Sequence, residues 1–92
     1  MSDYIDRDKA IFYLRRAATW SVSQGAWVPL AQLRDSVDIV REQIDEILTD
    51  LYLAGTIGLI AEVNRKALTA ADHEAALHVG GEDKHLIRWR AA

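Results

Sequence analysis

Between Asp38 and Gly55 the apolar residues Val40, Ile44, Ile47, Leu48 and Leu51 recur at steps of four, three, one and three. That spacing lines side chains up along one side of an α-helix, whereas alternate residues of a strand face opposite ways. Asp38 has a side chain suited to capping the first turn, and Gly55 one suited to closing the last. The pattern predicts a helix and fixes its outer face, which carries Glu42, Asp45, Glu46, Thr49 and Asp50. Directly after it, Ile57 to Val63 (IGLIAEV) reads as a strand ended by the polar turn Asn64, Arg65, Lys66.

The flanking segments supply what this helix packs against. From Asp6 to about Ser21, the residues Ala10, Ile11, Leu14, Ala17, Ala18 and Ser21 share one side of a first helix, with Gly25 beyond its end. Trp27 and Val28 form a very short extended piece before Pro29, which suits the first turn of a second helix carrying Leu30, Leu33 and Val37 on one face. Further on, Thr69 and Asp72 have the spacing of an N-terminal cap. They predict a fourth, alanine-rich helix running to His78 and stopped by Gly80 and Gly81. A last strand, His85 to Arg90, alternates with Ile87 and Trp89 on one side. The expectation is an α+β domain with a core of Ile11, Leu14, Leu33, Val40, Ile44, Ile47, Leu51, Ile57 and Trp89.

Length and composition restrict the rest. At 92 residues, 50% hydrophobic, with one proline, the chain has the makeup of a single folded domain. Without cysteine there is no disulfide framework and no thiolate metal cluster. The beginning, MSDYIDRDKA, is too polar for a signal peptide, and no apolar run reaches the roughly 18 residues of a membrane span. A cytoplasmic protein is expected. Eight arginines to three lysines, with fourteen alanines, match a GC-rich coding sequence and hint at a bacterial or phage source. The net charge of -3 is unevenly spread. Residues 37–54 hold five acidic residues and Arg41 as their sole basic one.

Helix, minimal strand, short helix, tight corner, long helix, then a strand with a basic turn resembles a winged helix-turn-helix domain. The stretch WVPLAQLRDSVDIVREQIDEILTDLYLAGTIGLI carries the likeness. In that pattern an apolar dipeptide precedes the second helix, and a Leu-x-x-x-Gly-x-Ile ending leads into the wing. The match runs from about Asp6 to Lys66. It implies a three-helix core with a small antiparallel wing, a third helix that enters the DNA major groove, and double-stranded DNA as partner. The chain departs from the family by inserting about twenty residues after the first wing strand, and by the acidic outer face of the third helix, which repels phosphate.

Carried onto this sequence, the resemblance makes Arg41 and Gln43 the residues that reach base edges, through the paired hydrogen bonds Arg makes to guanine and Gln to adenine. Arg65 and Lys66 become a wing tip on phosphate or the minor groove, and Arg15, Arg16 and Arg34 backbone clamps. Each also reads as an ordinary surface charge. Phe12 points away from the stripe of the first helix, with Tyr13 and Trp20 at its edge, so they form a homodimer interface or are covered by the chain's own ends. His73, His78 and His85 sit near acidic residues, but only Glu74 and His78 share a helix face, which is too few ligands for a metal.

No Gly-rich phosphate loop, nucleophile elbow or carboxylate pair is present, so neither catalysis nor a cofactor is expected. The resemblance implies a small DNA-binding regulator of transcription or of phage or plasmid maintenance. The alternative is a winged helix that binds a basic protein through Glu42, Asp45, Glu46 and Asp50.

Overall fold

The computed structural model describes residues 3–19 and 27–90. Among them the order is α1 (Arg7–Thr19), β1 (Val28–Pro29), α2 (Leu30–Asp35), α3 (Arg41–Leu53), β2 (Ile57–Ile60), a 3-10 turn (Arg65–Ala67), α4 (Ala70–Ala75), β3 (Leu77–Val79), β4 (Glu82–Lys84) and β5 (Leu86–Trp89). This is a mixed α+β architecture of four helices and two small antiparallel sheets. Trp20, Ser21 and Gly25 lie outside the described residues.

Helix α1 starts where the Asp6 carboxylate accepts the Lys9 amide at 3.1 Å, and it buries Ala10, Leu14 and Ala18. The two alanines let the backbone approach β5, on which α1 packs. Pro29 sets α2 off at Leu30, whose amide donates to the His85 carbonyl at 2.9 Å, so the approach to β5 satisfies one of the helix's unpaired donors. Helix α3 begins at Arg41 behind Val40, with no side-chain cap. Asp38 therefore does not cap it, since it stands two residues before the cap position at Val40. The far end closes as expected: Gly55 takes φ 80°, its amide bonds the Tyr52 carbonyl and Thr56 bonds that of Leu51, the arrangement that satisfies terminal carbonyls.

Strand β5 lies between β1 and β2, antiparallel to both. Val28, Ile87 and Leu59 stand side by side in this register, all buried. With Ile57 they close the core over Leu14, Leu30, Leu33, Ile44, Ile47 and Leu48. Ile11, Val40, Leu51 and Trp89, expected inside, are half-buried at its margin. Trp27 lies over Gly58, where a Cβ would come within 3.1 Å of its ring, and the Arg88 guanidinium stacks on the same ring 4.6 Å from its centroid. The close approach explains the glycine inside a strand.

Residues 61–85 form the insert between β2 and β5. Strand β2 stops at Ile60, three residues short of the expected Val63, because the chain turns off the sheet there and the Glu62 amide donates to His85 Nδ1 at 3.1 Å. Helix α4 has its cap: the Thr69 hydroxyl accepts from the Asp72 amide and the Asp72 carboxylate accepts from the Thr69 amide. It ends at Ala75 and packs on α2. His78, expected inside it, belongs to β3, so Glu74 and His78 share no helix face. Gly80 and Gly81 are likewise not a helix stop. With φ of 65° and 81° they are the turn joining β3 to β4, a hairpin whose two central residues need left-handed backbone.

Candidate functional site

The solvent side of α3 presents Glu42, Glu46 and Asp50, with Asp45 and Thr49 half-buried beside them. Two segments wall this face. Along one side runs the chain leading into α1: Tyr4 donates its hydroxyl to Glu46, and Arg7 pairs with Asp50 at 3.1 Å. The Glu46 bond and the nearby charges of Glu46 and Glu42 hold the Tyr4 phenol above its ordinary value of 10.0. Along the other side stands the insert. There the Ala76 carbonyl accepts from Arg41 at 3.3 Å, and Leu77 and His78 face α3 across a cleft of about 720 Å³.

The groups expected to reach DNA are engaged otherwise. Gln43 lies on a flank of the helix as expected, but it is covered there and only 3% exposed. Its side-chain oxygen accepts from the Ile5 amide at 3.0 Å and its nitrogen donates to the Ile5 carbonyl at 2.8 Å, so it has no edge left to offer a base. Arg34 is no surface clamp, its side chain being 11% exposed. Its Nε donates to the Ala75 carbonyl at 2.9 Å and its Nη2 to Asp45 at 2.7 Å, tying the insert to α3. Arg41 is half-exposed, but its Nε lies 3.7 Å from Asp45 and its Nη2 on Ala76. Asp45 is thus held between two arginines and does not face outward as an unpaired acid.

Arg65 and Lys66 do not cap a hairpin of adjacent wing strands, because the insert parts β2 from β5 in sequence. They lie in the 3-10 turn, where Lys66 is exposed. Arg15 and Arg16 are exposed on α1. So are Phe12 (58%) and Tyr13 (42%), whose rings meet edge to face at 5.8 Å. Among the described residues neither 3–6, which lie on α3, nor β5, which lies in the sheet, covers Phe12; Trp20 is outside the described residues.

Among the described residues no group of three or more His, Asp or Glu side chains is placed to hold a metal, and no helix is long and apolar enough to cross a membrane. Histidine 78 pairs instead with Asp83 at 2.9 Å across its own hairpin. Tyr4, Arg7, Leu77 and His78 were not expected at the site. The isolated apolar Ile5 in a charged segment was the signal for the first wall, and the sequence LHVGGED, a hairpin written around two glycines, for the second. Comparison with protein-family models, with curated proteins and with solved structures finds no match.

Proposed function

We propose that this chain is a winged helix used as a protein-binding module, with the outer face of α3 as its binding surface and a basic protein segment as its partner. The sheet order β1, β5, β2 beneath α1 to α3 supports the winged-helix reading. One observation carries the functional one. The side chains of α3 and its neighbours suited to DNA, Gln43, Arg34 and Arg41, are spent on Ile5, Ala75, Ala76 and Asp45, while Glu42 and Glu46 remain exposed carboxylates, Glu46 accepting the neutral Tyr4 hydroxyl. Such a face gains nothing from counterion release on DNA, which is the main source of non-specific affinity there. It attracts cationic side chains and speeds their encounter.

The test sets a fluorescent arginine-rich peptide against random-sequence duplex DNA, both at low salt. Wild-type protein is expected to hold the peptide and release it as salt rises, and to retain no DNA. Glu42→Lys with Glu46→Lys is expected to lose the peptide. Salt-sensitive retention of DNA by wild-type protein, weakened by Arg41→Ala or Lys66→Ala, would replace this reading with that of a DNA-binding regulator.

A further inference from the structure

Helix α1 carries the opposite charge to α3. Arg7, Lys9, Arg15 and Arg16 stand against Asp8 alone on α1, while Glu42, Asp45, Glu46 and Asp50 stand against Arg41 alone on α3. Both helices also leave a large apolar side chain in the solvent. These are Phe12, 58% exposed, beside Tyr13 on α1, and Leu53, 75% exposed, at the end of α3. Resting on the protein-binding reading above, we propose that the basic partner of the α3 face is the outer face of α1 in a second copy of this chain.

The order of residues along the two helices sets the direction. At 100° and about 1.5 Å per residue, Phe12, Arg15, Arg16 and Thr19 form one outward strip, and Leu53, Asp50, Thr49 and Glu46 form another. Laid antiparallel with Phe12 against Leu53, the arginines fall about 5–6 Å further along, level with Asp50 and Thr49 and within side-chain reach of Glu46. Apolar then meets apolar, and cation meets carboxylate, with Asp50 shared between the incoming arginines and Arg7 of its own chain and Glu46 keeping the Tyr4 hydroxyl. Laid parallel from the same anchor, the arginines pass beyond the end of α3 and the match is lost. Only the antiparallel arrangement also leaves Asp8 past that end, away from the acids of α3.

Because the two faces differ, each copy offers one of each, and association either closes reciprocally or continues from copy to copy. The contact combines an aromatic anchor with exposed charges, so its affinity falls as salt screens the ion pairs.

Charge exchange tests the pairing. One variant of the whole chain carries Arg15→Glu with Arg16→Glu, the other Glu46→Lys with Asp50→Lys, and circular dichroism checks that both are folded. Sedimentation of wild type at low salt is expected to give a mass above that of the monomer, returning to the monomer at high salt. Phe12→Ala is expected to weaken the association at least tenfold. Each charge variant alone is expected to be monomeric, because its two faces now carry the same sign. Their equimolar mixture is expected to associate, because the reversed α1 of one meets the reversed α3 of the other and the remaining two faces are native. A wild type that stays monomeric at high micromolar concentration overturns the proposal, as does a mixture no heavier than its components. If that monomer still binds the arginine-rich peptide, the protein-binding reading stands and only the second copy is excluded. If it binds neither peptide nor a further copy, both fall.

Discussion

Replacing Gln43 by alanine removes the donor and the acceptor that hold both backbone groups of Ile5. Stranding partly buried polar groups costs about 1–3 kcal/mol, and urea unfolding should show a loss of that size. Amide exchange should speed up at Tyr4, Ile5 and Asp6 but not within α3, because the helix keeps its own hydrogen bonds. The same residue shows where sequence reading ran out. Helical spacing correctly put Gln43 between the apolar stripe and the acidic face. What lies over that flank is decided by a segment 38 positions away in sequence, and no periodicity in α3 encodes it. A second residue-scale expectation concerns Gly58. A Cβ there meets the Trp27 ring at 3.1 Å, so Gly58→Val should push Trp27 off Arg88, lower the melting temperature and change the tryptophan fluorescence.

The elements of the insert hold together through charge as well as packing. Thr69 hydrogen bonds keep the Asp72 carboxyl below its ordinary value of 3.8, and the Lys84 ammonium keeps that of Glu82 below 4.5. A depressed carboxyl stabilises the fold above its ordinary value, and that contribution is lost as pH falls through the depressed one. Lys84, buried over the Tyr52 ring and bonded to Glu82, is held above 10.5, so its share is present below that pH and lost above it. The amide resonances of Leu77 to Lys84 should therefore move on acidification below 4.5 before those of Leu86 to Trp89 do. Thr69→Ala should cost α4 about 1 kcal/mol, as loss of a helix cap does. The cap was legible because its chemistry is local, carried by two residues three apart. The end of α4 was not. Alanine 75 and Ala76 favour helix as strongly as the residues before them, yet Ala76 is extended with ψ 144°, and Leu77 turns inward to 5% exposure. The hairpin that follows takes precedence over helix propensity.

Across the whole molecule the margin is small, since a domain of this size is stable by about 5–10 kcal/mol. Leu14 is fully buried between the helices and the sheet, so Leu14→Ala should remove about 2–5 kcal/mol, a large part of that margin, and calorimetry should show a lower melting temperature. The helical core was readable from the apolar spacing, because each of α1, α2 and α3 carries its own stripe. Sheet order was not, for pairing partners are chosen in space. That order governs time as well as shape. Strand β5, the last of the described elements, is the central one, and Val28 waits for Ile87 as Leu59 does. On the ribosome the helices can gather as they emerge, but both outer strands stay without a neighbour until β5 has been made. A break after Lys84 would therefore remove the three-stranded sheet entirely, not merely one strand of it. Contacts so distant in sequence close slowly, and until then the exposed strand edges would be the part of the nascent chain most open to wrong partners.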